Sequence, residues 1–184
     1  MFADILRIIT DTVFGLLTLA FLARFFMQWA RVSFRNPIGQ FVVVATDWAV
    51  TPLRRFIPGL FGLDMASLIA ALLTQLVNAA LDLAIAGAPA SMLLVYTPVV
   101  GLVGLLRMAI WLVFGVILVA VVLSWVAAHS PMAAVFDSLS RPLLAPFRRL
   151  IPPLGGIDFS PLVLLLILQI LLRVVDELPR MLLT

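Results

Sequence analysis

Two stretches of the 184-residue chain decide its fold: TPLRRFIPGLFGLDMAS at 51–67 and APFRRLIPPLGGIDFSP at 145–161. They align at an offset of 94 residues, which superimposes their prolines, their arginine pairs and a following aspartate. Self-similarity at a fixed offset is the sequence mark of a repeated structural unit. We therefore predict a tandem duplication, with a first repeat at 1–88 and a second at 104–184. The uncharged segment 89–103 is interpreted as a linker or as an early start of the third helix.

The composition places most of the chain in lipid. It is 64% hydrophobic and 11% charged, with a mean hydropathy of +1.23. An average soluble domain is roughly 45–50% apolar and about 25% charged. This excludes a soluble globular enzyme, and it excludes disorder, which needs low hydrophobicity and high charge.

Four apolar spans are each close to the ~20 residues that cross a bilayer. They lie at 12–30, 65–86, 104–127 and 160–178. Because each half crosses twice, both halves enter from the same side, and the repeats are parallel. The predicted fold is all-α: a polytopic membrane helical bundle of two tandem repeats with two transmembrane helices each. Short interfacial amphipathic helices, broken or kinked by their prolines, are predicted to end near the arginine pairs.

The arginines predict the orientation. All twelve basic residues are Arg, and the net charge is +3. Seven of them lie in loops 31–63 and 128–159. Since basic loops stay on the cytoplasmic side, we expect both loops in the cytoplasm and both termini on the opposite side of the membrane.

The repeated arginine pairs are the first candidate binding residues. They are Arg54, Arg55, Arg148 and Arg149. A planar guanidinium binds phosphate or carboxylate oxygens in a bidentate manner, so four of them suit anionic phospholipid headgroups or an acidic partner. The alternative is that the pairs only fix topology.

Candidate helix caps follow each arginine pair. Asp64 precedes the second span, while Asp158 and Ser160 precede the fourth. Short polar side chains accept hydrogen bonds at helix N-termini, and a carboxylate there also suits the helix dipole. We expect these residues to be structural caps, with the aspartates paired to neighbouring arginines; a cation or proton role is the alternative.

Polar residues inside the spans also repeat. The candidates are Gln75, Asp82, Gln169, Arg173 and Asp176. Polar groups in membrane helices are costly and often mark a pathway. Hydrogen bonding between the second and fourth spans explains them as well, and both interpretations stay open. Two further arginines near span ends, Arg24 and Arg107, are predicted to snorkel to the surface.

Catalytic patterns are missing from the sequence. The chain has no Cys and a single His, His129, which excludes thiol chemistry and histidine metal clusters. Phosphate-binding, zinc-protease and nucleophile-elbow motifs do not occur. We expect no enzymatic activity and no cofactor. Because the arginines are scattered between apolar runs, we expect no nucleic-acid partner either.

The doubled block resembles the YggT family of small bacterial integral membrane proteins. WARVSFRNPIGQFVVVATDWAVTPLRRFIP at 29–58 is typical of its two-copy form. The resemblance implies an inner-membrane protein linked with osmotic stress tolerance and division, and in plastid relatives with cytochrome maturation. It favours a non-enzymatic scaffold or assembly factor in envelope homeostasis, acting with a membrane protein partner. A small oligomeric channel or transporter, a homo-oligomer of this chain, is the alternative.

Overall fold

Every regular element in the described part of the chain is a helix. The computed structural model describes residues 1–59, 62–151 and 158–183, so residues 152–157 of the second repeated stretch lie outside it. The helices are α1 (Phe2–Trp29), α2 (Pro37–Leu53), α3 (Met65–Ile85), α4 (Ala90–Val126), α5 (Pro131–Leu150) and α6 (Ser160–Leu183). The predicted all-α class is confirmed.

Three of the described helices, α1, α3 and α4, are long and apolar enough to cross a membrane. Helix α1 begins ten residues before the predicted span at 12–30. Helix α4 begins at Ala90, so segment 89–103 is helical from its second residue onward. With 37 residues it is longer than the ~20 residues that cross a bilayer. The fourth predicted span is helical, but α6 carries three charged residues within its first eighteen, so its crossing stays a prediction.

The same capping chemistry starts α2 and α5. Asn36 Oδ1 accepts a hydrogen bond from the backbone N–H of Gly39 at 2.8 Å. Ser130 Oγ accepts one from the backbone N–H of Ala133 at 3.1 Å. Each cap is followed by a proline at the first helical position, where its missing N–H costs nothing. The sequence therefore fixes both helix starts locally.

The two predicted interfacial helices end differently. Helix α2 ends at Leu53, directly before the first arginine pair, as expected. Helix α5 ends at Leu150, directly after the second arginine pair, but it continues through Pro142 and Pro146, so these prolines do not break it. Both prolines are exposed, and there the backbone hydrogen bonds that proline removes are least costly.

Helix contacts follow one pattern in both halves. Helix α1 packs against α2 and α3, and α4 packs against α5 and α6, while α3 and α4 join the halves. The contact face of α3 consists of small residues such as Ala70 and Ala71, which lets helices approach closely. On α4, a Cβ added at Gly101 would lie 2.7 Å from the side chain of Leu76. Close packing of α3 on α4 thus depends on glycine, which has no side chain, at position 101.

Candidate functional site: polar clusters at both ends of the bundle

A buried arginine organises the end of the bundle that carries the first loop. Arg24 is 5% exposed. Its Nη1 donates hydrogen bonds to Thr46 Oγ1 at 2.8 Å and to Asp47 Oδ1 at 2.7 Å. Its Nε lies 3.6 Å from Asp64 Oδ2. The prediction that Arg24 snorkels is wrong, because α2 folds back over α1 and brings a carboxylate to the guanidinium.

Asp64 lies in the same group of polar side chains. We call this group the loop-side cluster; its members are Arg24, Thr46, Asp47, Arg54, Asp64 and Ser67. Arg54 Nη2 lies 2.5 Å from Asp64 Oδ2, and Ser67 Oγ donates to the same oxygen at 2.5 Å. Asp64 occupies the position before α3, but its side chain caps no backbone N–H. Its carboxylate oxygens lie against the guanidinium groups of Arg24 and Arg54 and accept the Ser67 hydroxyl. The predicted pairing with a neighbouring arginine is what the structure contains.

The pKa of Asp64 reflects these partners. Burial raises the pKa, but the hydrogen bonds from Arg54 and Ser67 and the charge of Arg54 outweigh it, so the pKa lies below the ordinary aspartate value. The hydrogen bond to Asp64 in turn raises the pKa of Arg54. Arg54 and Asp64 are therefore both charged at neutral pH and form an ion pair.

The second half contains the matching ion pair in a more exposed setting. Arg148 Nε lies 2.8 Å from Asp158 Oδ2. Asp158 Oδ1 also accepts the backbone N–H of Ser160 at 2.9 Å, so Asp158 caps α6 as predicted. Ser160 is itself the first residue of α6 and takes part through its backbone N–H, so its predicted role as the cap is wrong. Burial raises the pKa of Asp158, but the hydrogen bonds from Ser160 and Arg148 lower it below its ordinary value.

The two arginines within each pair have different surroundings. Arg54 and Arg148 are each held by an aspartate. Arg55 and Arg149 are exposed, with no acidic partner among the residues that the structure describes. Of the four guanidinium groups predicted to bind a headgroup or partner, these two are the ones without an ion pair among the described residues.

The opposite end of the bundle holds a cavity of about 320 Å³ between α1, α3, α4 and the last turns of α6, and we call it the polar cavity for the charged and amide side chains in its wall. Gln75, 5% exposed, lies in its wall and donates to Thr18 Oγ1 at 3.1 Å. Asn78 donates to Asp11 Oδ1 at 2.9 Å. Gln75 thus bonds α1 rather than α6, and the predicted hydrogen bond between the second and fourth spans is wrong for it. In the described contacts, α1 and α4 are the helices that pack on α3 at this level.

Ion pairs also join helices at this end. Arg107 Nη2 lies 2.7 Å from Asp176 Oδ1, linking α4 to α6. Arg7 Nε lies 3.7 Å from Asp82 Oδ1, linking α1 to α3. Each repeated aspartate therefore pairs with an arginine from the first helix of its own half. Arg107 keeps the exposure expected of a snorkelling arginine, at 45%, but its head group pairs with Asp176.

Helix α6 has polar residues on its outer surface. Gln169 and Arg173 are both exposed. Neither makes a hydrogen bond or ion pair to any other residue described by the structure. The repeat partners Gln75 and Gln169 therefore differ: the first is buried between helices, and the second faces outward.

Metal binding finds no support in the described segments, where no three His, Cys, Asp or Glu side chains come together as ligands. Asp47, Asp64, Asp82, Asp158 and Asp176 are instead paired with arginines, and Asp11 accepts a hydrogen bond from Asn78. The chemistry of both ends is hydrogen bonding and ion pairing between helices.

These helices and paired polar clusters define a small α-helical membrane protein. The chain belongs to the CCB3/YggT family, which it matches over residues 3–85 and 99–178. It is 39% identical to the protein YggT of Escherichia coli K12 over 170 residues, which cover 90% of this chain and 86% of that protein. It is 37% identical to protein PA0392 of Pseudomonas aeruginosa over 176 residues, 94% of this chain and 89% of the relative. No solved structure matches the chain.

A pH titration tests the Arg54–Asp64 pair. Because the pKa of Asp64 is lowered in the folded protein, the stability it contributes is fully present above its unfolded pKa of about 3.9 and is lost as the pH falls through the lower folded value. We expect the difference in Tm between the wild type and Asp64→Asn to be constant from pH 8 to pH 5 and to shrink below about pH 4. Thermal unfolding in detergent at several pH values measures this difference. A constant difference down to the most acidic condition would contradict the assignment.

Proposed function

We propose that the protein is a non-enzymatic scaffold or assembly factor of the bacterial inner membrane that takes part in envelope homeostasis. In this proposal the two halves are tandem parallel repeats, and both arginine loops face the cytoplasm. The observation that carries the proposal is a layer of buried apolar side chains between the two polar ends of the bundle. A scaffold needs such a sealed core, whereas a conducting chain needs a polar route through it.

The apolar layer is visible along two helices. On α1, Thr18 accepts a hydrogen bond from Gln75, which lines the polar cavity, and Arg24 lies in the loop-side cluster. Between them lies Phe21, which is 1% exposed. At the same level α3 contributes Ala70 and Ala71, which are 4% and 0% exposed. Water and ions in the cavity would have to cross these packed side chains to reach the loop side.

The exposed face of α2 supports a position at the membrane surface. Phe41, Val44 and Trp48 are 71%, 79% and 67% exposed and lie on one side of the helix. An amphipathic helix of this kind places its apolar face in the headgroup region, with tryptophan at the boundary. Together with Arg55 and Arg149 this gives the proposed cytoplasmic side an apolar and cationic surface that suits anionic lipid.

A small oligomeric channel or transporter is the second candidate. The polar cavity of about 320 Å³ favours it, as does the outer face of α6 with Gln169 and Arg173. Exposed polar groups at membrane depth are costly in lipid, so a second copy of the chain, or a membrane protein partner, would cover this face. A pathway would then form between copies rather than within one chain.

Ion flux in proteoliposomes separates the two candidates. We expect the purified wild type to conduct K⁺ and protons no faster than protein-free liposomes, because the core around Phe21 is sealed. We also expect the double variant Gln75→Leu, Gln169→Leu to rescue the survival of a deletion strain after osmotic downshift as well as the wild type does. Flux above the control that disappears in this double variant would overturn the scaffold and establish the channel.

A further inference from the structure

A second cavity, of about 350 Å³, lies between the loop that follows α1 and the first half of α5. Its polar lining consists of Arg31, Ser33, Arg35, Asn36 and Ser138. Among the described residues around it none is acidic, and both arginines are exposed and make no ion pair there. The nearest acid along α5, Asp137, is held by Arg141 at 2.6 Å. The cavity is therefore a concentration of unneutralised positive charge.

The hydrogen-bonding groups of the cavity are mostly free donors. The Asn36 amide is already used, since it caps α2 and donates to Ser33 O. Ser138 Oγ donates to a backbone carbonyl of its own helix. Ser33 Oγ accepts the backbone N–H of Arg35 at 3.2 Å, which leaves its hydroxyl hydrogen for a ligand. Two guanidinium groups and one hydroxyl thus remain to donate to an anion.

The backbone conformation of Arg31 is an independent observation that favours a functional role for its side chain. Arg31, two residues after the last residue of α1, has φ +55°, in the left-handed region that non-glycine residues rarely adopt. Its N–H bonds Gln28 O, and the next N–H bonds Met27 O. Helix α3 ends with the same hydrogen-bond pattern, but there the left-handed residue is Gly87, with φ +76°. Arginine therefore occupies a position whose backbone conformation glycine adopts more readily.

The loop has no equivalent in the second half. Seven residues lie between Trp29 and Pro37, whereas five lie between Trp125 and Pro131, and the shorter segment contains no arginine. The two arginines of the cavity are therefore a feature of the first half alone, placed against a helix of the second half.

We infer that this cavity binds a phosphate group, held by Arg31 and Arg35 with Ser33 as an additional donor. Arginine forks match phosphate oxygens in a bidentate manner. The cavity is open to the surroundings on one side, and its volume of about 350 Å³ leaves room beyond a phosphate for the rest of a headgroup. Val32 and Val135 add apolar walls, which a lipid uses and an inorganic ion does not. The site fits an anionic phospholipid headgroup best, with free phosphate as the other source of the same chemistry.

Native mass spectrometry of the full chain in detergent tests the site. The protein is titrated with short-chain phosphatidylglycerol, with short-chain phosphatidylcholine and with inorganic phosphate. We expect phosphatidylglycerol to bind more tightly than phosphatidylcholine, and Arg31→Gly and Arg35→Gln each to weaken it about tenfold. Arg31→Lys should lose less, because it keeps the charge. Inorganic phosphate that displaces the lipid would identify free phosphate as the ligand, and failure to displace it would identify the lipid.

Arg31→Gly is the decisive variant because glycine suits the left-handed backbone at this position, so its Tm should equal or exceed that of the wild type. Arg173→Gln, which removes one charge outside the cavity, is the matched control and should bind phosphatidylglycerol as the wild type does. Wild-type affinity in Arg31→Gly and Arg35→Gln would overturn the inference. An equal loss in Arg173→Gln would do the same, since it would show that net charge alone is responsible.

Discussion

Asp64→Asn is expected to lower the free energy of unfolding by about 3 kcal/mol, while Asp158→Asn lowers it by less than about 1 kcal/mol. The two aspartates occupy equivalent places 94 residues apart, and each pairs with an arginine ten residues before it. Their side chains differ in exposure, at 3% and 35%. Removing one partner of a buried pair strands the other charges, whereas an exposed arginine is simply solvated again.

Unfolding in a mixed detergent titration, followed by circular dichroism, measures both variants under the same conditions. Asp64→Asn keeps the side-chain volume and an acceptor for Ser67, which is why we expect the lower end of the usual range for buried pairs. Equal losses in the two variants would contradict the account, because they would show that burial of the first cluster contributes nothing.

Gly39→Ala is the second substitution with a large expected effect, a loss of about 2–3 kcal/mol. A Cβ at this position would lie 2.6 Å from Phe34 Cα and 2.8 Å from Phe34 O. Both atoms belong to the backbone, so the loop after α1 would have to move away from α2. No rotation of a side chain can relieve such a contact.

Gly115→Ala is the matched control in α4, where an added Cβ meets no atom within 4 Å. Alanine is the better helix former by up to about 1 kcal/mol, so this variant should be as stable as the wild type or more stable. Differential scanning fluorimetry of the two variants gives the comparison directly. If Gly39→Ala retained the wild-type Tm, the close contact between the loop and α2 would be refuted.

The sequence was sufficient for the fold class because the relevant signals are local. Hydropathy marks the helices, and Asn36-Pro37 and Ser130-Pro131 mark the starts of α2 and α5 at the residues where the structure begins them. Proline, by contrast, was a poor signal for a break in a helix. Helix α5 continues through Pro142 and Pro146 because both lie on its exposed side.

The loop-side cluster shows how much of the candidate site could be predicted from the sequence. The pairing of Asp64 with a neighbouring arginine followed from proximity along the chain. The burial of Arg24 did not, because its partners lie 22 and 23 residues away on another helix, and no periodicity within one helix points to them. An arginine near the end of an apolar span, followed by an amphipathic helix with an aspartate, is the signal that could have found it. Gln75 was found from the repeat, but its partner Thr18, 57 residues away, was not.

Single-cysteine labelling tests the central claim, that two parallel repeats place both arginine loops on one side of the membrane. The chain contains no cysteine, so Gly59→Cys, His129→Cys and Ser91→Cys each introduce one reporter at an exposed position. In intact spheroplasts a membrane-impermeant maleimide should label Ser91→Cys, and it should label Gly59→Cys and His129→Cys only after permeabilisation. Labelling of Gly59→Cys and His129→Cys from opposite sides of the membrane would contradict the parallel arrangement.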